Sequence, residues 1–183
     1  MTLIVGIEDA GRVYMAADSG AWGSCGFVDS GAHFKLARVG PLLLGCAGDL
    51  RASNLVRHAL DDIPAVEGDP ERYLVREFVP RLRGVMEAHG ADKTNDETST
   101  KGWGGWCMVA VQGQIYALSA AYCVFRNTRG YAAVGADAAR GVALGVLSVT
   151  KDRLPVAERL RLALHQAAEH TENVRAPFVE AVL

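Results

Sequence analysis

Two short apolar runs, residues 3–7 and 13–17, open the chain and are linked across Glu8, Asp9, Ala10 and Gly11. Runs of that length joined by a polar link that ends in glycine, the residue most tolerant of positive φ, predict a β-hairpin at the extreme N-terminus. The same pairing recurs downstream. A Gly- and Ser-rich stretch at 19–31 leads to a strand pair at 34–39 and 41–46, joined at Gly40 and Pro41 and closed by Gly45, Cys46, Ala47 and Gly48. Strands are again expected at 106–111 and 115–120, across Gln112, Gly113 and Gln114, and a meander continues through 122–126 and 131–134. Residues 177–183 read as a last strand.

Helices interrupt this pattern twice. Asp49 is placed to cap a helix with apolar Leu55, Val56, Ala59 and Leu60, and a second helical face, Leu74, Phe78, Leu82 and Val85, follows Pro70 with a kink expected at Pro80. Residues 90–105 are polar and read as an exposed loop. Two more helices are expected at about 137–147 and from Pro155 to about His170. Strands, two helices, strands, two helices, with hairpins in place of βαβ units, predict an α+β fold in which two antiparallel sheets are sandwiched between helical layers.

Composition narrows the function. With 183 residues, half of them apolar and 22% charged, the chain can bury one large core, so a single domain over 1–183 is expected. A net charge of -2 with dispersed Lys and Arg offers no stripe for nucleic acid. No charged leader precedes an apolar stretch, and no run approaches the ~18 to 20 apolar residues that span a bilayer, so a soluble, cytoplasmic protein without membrane contact is expected. Cys25, Cys46, Cys107 and Cys123 lack CxxC spacing and read as small core thiols, and the five histidines show no metal-ligand spacing. Neither a metal nor another cofactor is expected. Trp103 and Trp106 flank glycines and read as core or interface packing.

Thr2 carries the chemistry. Aminopeptidases remove Met before small residues, which would leave an α-amine and a hydroxyl on one residue, a base and a nucleophile together. An α-amine has a reference pKa of ~7.7 to 8.0, so a good fraction is neutral near physiological pH and able to take the hydroxyl proton.

The opening TLIVGIEDAGRVYMAADSGAWG resembles that of proteasome β-subunits and of HslV, the bacterial peptidase that works with an unfoldase. In that family, as here at Ala16, Ala17, Asp18 and Ser19, the second strand ends in Ala-x-Asp-Ser or Ala-x-Asp-Gly, and Asp18 stands sixteen residues after Thr2. HFKLARVGPLLLGCAGDLRASNLVRHAL resembles the family's Lys strand, Gly-x-Ala-Gly turn and first helix. YAAVGADAARGVALGVL resembles its later strand and helix. The resemblance implies the four-layer α-β-β-α sandwich of N-terminal-nucleophile hydrolases and a threonine peptidase acting on peptides or unfolded protein. It also implies a homo-oligomeric ring or related assembly, with an ATP-dependent unfoldase as a candidate partner.

Residue by residue, the resemblance assigns Thr2 as nucleophile and Lys35 as the active-site lysine, one residue later from Asp18 than in the usual pattern. Asp18 would orient Lys35, and the backbone N–H of Gly48 would face the oxyanion. Ala21 and Gly23 would offer backbone partners to an extended substrate. Two family supports are replaced. Gly135, Ala136 and Asp137 stand where Gly-Ser-Gly is usual, leaving Asp137 either to accept a hydrogen bond from the terminal ammonium or to cap the helix. Near the C-terminus the family's Asp and Ser would fall by Thr171 and Val174, with Glu169 as an acidic alternative. Two rivals follow: a small-molecule amidase with the same nucleophile, and a catalytically degenerate structural subunit.

Overall fold

The computed structural model describes residues 2–23, 26–30, 35–94 and 101–183. The expected hairpin is present as β1 (Leu3–Asp9) and β2 (Arg12–Ala17), with Ala10 and Gly11 at positive φ in its turn. A separate ladder, β3 (Gly20–Gly23) with β4 (Gly26–Ser30), fills part of the Gly-rich stretch. Next come β5 (Leu36–Val39), β6 (Leu42–Gly48) and helix α1 (Leu50–His58), whose N-cap Asp49 accepts hydrogen bonds from the Arg51 and Ala52 N–H groups. Helices α2 (Pro70–Tyr73) and α3 (Val79–Ala88) follow, and β7 (Lys93–Thr94) pairs with β8 (Lys101–Gly102). The remaining elements are β9 (Gly105–Val111), β10 (Gln114–Leu118), β11 (Val124–Arg126), β12 (Tyr131–Gly135), α4 (Asp137–Val149), α5 (Val156–His170) and β13 (Val179–Val182).

Two antiparallel sheets result, one in the order β12-β1-β2-β13 and one in the order β11-β10-β9-β6-β5. Their side chains alternate between layers, as a period of two requires. In β1, Leu3, Val5 and Ile7 pack against α4 and α5, while Ile4 turns to the other sheet. In β6, Leu42, Leu44 and Cys46 face the helices α1 to α3, while Leu43 and Ala47 face β1 and β2. Three apolar clusters therefore lie between four layers, the α-β-β-α sandwich of the expected α+β class. Glycines set the spacing between the sheets: a Cβ on Gly6 would strike Met108 Sδ at 2.6 Å, and one on Gly45 would strike Ile4 at 2.8 Å.

Local differences from the sequence reading have physical causes. Pro80 does not kink a single helix. α2 instead runs through a π-helical turn at Leu74–Phe78 before α3, and the Val79 N–H reaches the Leu74 carbonyl across the widened turn. A proline inside a helix removes one N–H and crowds the carbonyl four residues back, and a π-turn is one of the ways a helix absorbs such a mismatch. Residues 90–105 are not a plain loop, because β7 and β8 pair there and Trp103 beyond them is buried, its indole N–H donating to the Ser119 carbonyl at 3.0 Å. β11 starts late because Tyr122, with φ 62°, cannot extend a strand. Cys46 and Cys107 are the expected core thiols, 3.6 Å apart, but Cys123 is exposed, and Cys25 and His33 lie outside the described residues. Among the described residues no helix is long and apolar enough to cross a membrane, and no cluster of metal ligands occurs.

Candidate active site

Thr2 precedes β1 on the face of Ile4, the one turned toward the second sheet, and is buried. Its backbone is held from the turn between β12 and α4: the Ala136 N–H donates to the Thr2 carbonyl at 2.9 Å. Gly135 makes this approach feasible. With φ 132°, a Cβ there would fall on the Thr2 carbonyl oxygen.

β1 and β2 bring Asp18 beside the start of the chain, and β5 begins just after Lys35. The two side chains form an ion pair of 2.6 Å, both essentially inaccessible to water. Asp18 Oδ1 also accepts from the Leu3 N–H at 2.8 Å, and Oδ2 accepts from the N–H groups of Gly20 at 3.0 Å and Arg175 at 3.3 Å. Lys35 Nζ donates in addition to the Gly20 carbonyl at 2.7 Å. Burial pushes the Lys35 ammonium below its ordinary pKa, with Asp18 opposing the shift through its charge and its hydrogen bond. The carboxylate thus ties together the strand that carries Thr2, the lysine, β3 and the segment before β13. A buried pair of this kind is a positioning device more than a source of stability, because desolvation offsets much of its Coulombic gain.

Gly48 ends β6 opposite Gly105. Its φ is 122°, and a Cβ would meet the Gly104 carbonyl oxygen at 2.6 Å and Gly105 Cα at 2.7 Å, so glycine alone fits. Thr2 and Gly48 together line two hollows. One, of about 280 Å³, is shared with Gly20, Ala21, Trp22, Cys46 and Ser53. The other, of about 380 Å³, is bounded by Ala47, Gly104, Gly105, Trp106, Ala120 and Ala136. The arrangement offers a hydroxyl-bearing residue, a glycine backbone on a shared rim and a buried ammonium–carboxylate pair nearby, the parts an acyl-transfer site needs.

The sequence reading places several residues differently. Asp137 does not cap α4. It is the first residue of the helix, after Ala136, and its exposed carboxylate pairs with Arg140 at 2.8 Å, since a side chain one position past the cap projects outward. Glu169 is exposed on α5 and accepts from Gln166, the Thr171 hydroxyl donates to the Ala167 carbonyl, and Val174 is fully buried in the apolar core. Ala21 lines the smaller hollow, and Gly23 lies at the far end of β3, paired with Gly26. Arg175 was not foreseen. Its contribution is its backbone, which also accepts from the Ser19 N–H at 3.0 Å, and a main-chain contact leaves no mark in residue type.

No family model matches the chain, and no curated protein matches it. Solved structures do. The structure of Thiobacillus denitrificans BPH in complex with epoxomicin superposes with a TM-score of 0.80 at 19% identity, covering 100% of this chain and 98% of that one. A second structure of Thiobacillus denitrificans BPH gives 0.80 and 19%, covering 100% and 97%. Eukaryotic HslV from Trypanosoma brucei gives 0.68 and 16%, covering 100% and 99%. The fold is HslV-like. Within the HslV-like fold the likeness runs from end to end of both chains, so Thr2, Asp18, Lys35 and Gly48 stand on a complete framework rather than on a shared fragment.

Proposed function

We propose that the protein is a threonine peptidase of the N-terminal-nucleophile type, with Met1 removed and Thr2 as the nucleophile. The supporting observation is that Thr2 and Gly48 share the rim of two hollows while Asp18 ties the Thr2 strand to Lys35. Thr2 Oγ attacks the peptide carbonyl carbon as its proton passes to the Thr2 α-amine. The carbonyl oxygen becomes an oxyanion facing the Gly48 N–H, with the Lys35 ammonium favouring negative charge at Thr2. The tetrahedral intermediate collapses to an ester, and the departing amine takes the proton back from the α-ammonium. Water then adds to the ester, again with the α-amine as base, and releases the acid.

Asp18 is a positioning residue, and Ala21 and Gly23 supply backbone to an extended peptide on the acyl side. Asp137 has no part in this scheme. The chain works as one domain in a homo-oligomeric assembly in the cytoplasm, fed with peptide or unfolded protein, with an ATP-dependent unfoldase as the partner to be sought.

A catalytically silent assembly subunit is the second reading. It is favoured by Ala136 in place of a hydroxyl and by the outward turn of Asp137. Intact mass before and after incubation with epoxomicin separates the two. Loss of Met1 and one adduct that Thr2→Ala abolishes are expected. Retained Met1, or a processed Thr2 that never labels, would overturn the peptidase reading.

A further inference from the structure

We infer that Trp106 selects the residue on the leaving-amine side of the scissile bond and favours a large apolar side chain there. This rests on the reading of Thr2 as nucleophile. Because Thr2 and Gly48 line both hollows, a carbonyl seated over Thr2 sends one half of the substrate into each. The acyl half must stay bound through the second chemical step. It belongs on the side of β3, which lines the smaller hollow with Ala21 and runs alongside an extended chain seated there. The amine half then enters the other hollow, walled by Ala47, Gly104, Gly105, Ala120, Gly135 and Ala136, where Trp106 is the one large side chain among the described lining residues.

Trp106 is held ready for that contact. It pairs with Ala47 across the β6–β9 ladder, and Gly105 before it admits no Cβ, because one would strike the Ala47 carbonyl at 2.8 Å and the buried Trp103 ring at 2.9 Å. Its ring stacks on Phe125 with centroids 6.2 Å apart, yet Trp106 stays 43% exposed and Phe125 50% exposed. An exposed aromatic pair at the mouth of a hollow presents apolar surface to a group bound there. Past Trp106 a second groove of about 450 Å³, bordered by Phe125, Arg126, Arg129 and Arg140, continues the path for the departing chain.

The test uses peptides identical except for Phe or Gly immediately after the cleaved bond, with cut sites read by mass spectrometry and kcat/KM measured for each. The wild type should favour Phe by about tenfold or more, the discrimination an apolar pocket achieves. Trp106→Ala should bring the ratio to within about twofold of unity, and Trp106→Phe should restore most of it. The ratio is the readout because both peptides report on the same folded sample. Equal ratios in wild type and Trp106→Ala would overturn the inference. So would a changed preference for the residue before the bond, or a smaller assembly with unchanged preference, which would make this face a subunit contact. A wild-type protein that neither labels with epoxomicin nor cuts peptides would bring down the nucleophile reading, and this one with it, whereas labelling without Phe preference would sink this inference alone.

Discussion

Lys35 and Asp18 show how one residue's role is set by what surrounds it. Asp18 is 1% exposed and Lys35 4%, and neither charge has water to fall back on. Lys35→Met would leave the carboxylate with backbone donors and no counter-charge, a loss of about 3 to 5 kcal/mol in unfolding free energy by denaturant titration. Adding Asp18→Asn should recover part of it, because the two changes act on one interaction. Full additivity in that double-mutant cycle would mean that the pair is not coupled. Lys35, Asp18 and Gly48 were singled out in the sequence by its resemblance to proteasome β-subunits and HslV. Asp137 was misplaced by a single position, and a one-residue shift at a helix start turns a carboxylate from the cap to solvent.

At the level of elements, α1 shows how a cap and a strand end cooperate. Asp49 stops β6 directly after Gly48 and holds the first turn of the helix through the Arg51 N–H at 2.8 Å and the Ala52 N–H at 3.4 Å. Asp49→Ala should therefore cost about 1 kcal/mol of stability. It should also slow epoxomicin labelling, because the turn that presents Gly48 loses its anchor. An unchanged labelling rate would separate the cap from the site. The hairpin β1–β2, the β9–β10 pair and the helices α4 and α5 could be read from periodicity and turn residues. The β3–β4 and β7–β8 ladders could not, since stretches rich in glycine and polar residues carry no alternation to read.

On the scale of the whole molecule, three tyrosines make the layer between the second sheet and α1 to α3 sensitive to alkali. Tyr73 and Tyr116 are buried in that cluster and Tyr122 packs against it, and burial raises each phenol above its ordinary value of 10.0, with the bond to Asp92 raising Tyr122 further. Below pH 10.0 the phenols are protonated in both the folded and the unfolded state. Above it the unfolded chain releases protons that the folded chain keeps, so stability falls as pH rises. Lys35 runs the other way, since its lowered folded value makes stability grow as pH climbs toward 10.5, whereas the Cys107 thiol, raised by its hydrogen bond with Cys46 and by burial, adds to the alkaline loss. Urea titrations from pH 8 to 11 should show this alkaline loss and a shallower limb for Tyr122→Phe. An identical limb would remove Tyr122 from the account.

What the sequence determined by itself is the succession of the main hairpins and helices, while Thr2, Asp18, Lys35 and Gly48 were singled out by its resemblance to proteasome β-subunits and HslV. The hairpins and helices follow from local periodicity and turn chemistry. Only the tertiary structure decided that the Arg175 backbone closes around Asp18, that Gly135 makes room for the Thr2 carbonyl, and that Trp106 stands over a hollow beside Thr2. These depend on the register between strands far apart in the chain and on the spacing of two packed sheets. Two of them bring together main-chain atoms and a missing side chain, which no residue pattern announces, and the third depends on where the β6–β9 register sets Trp106.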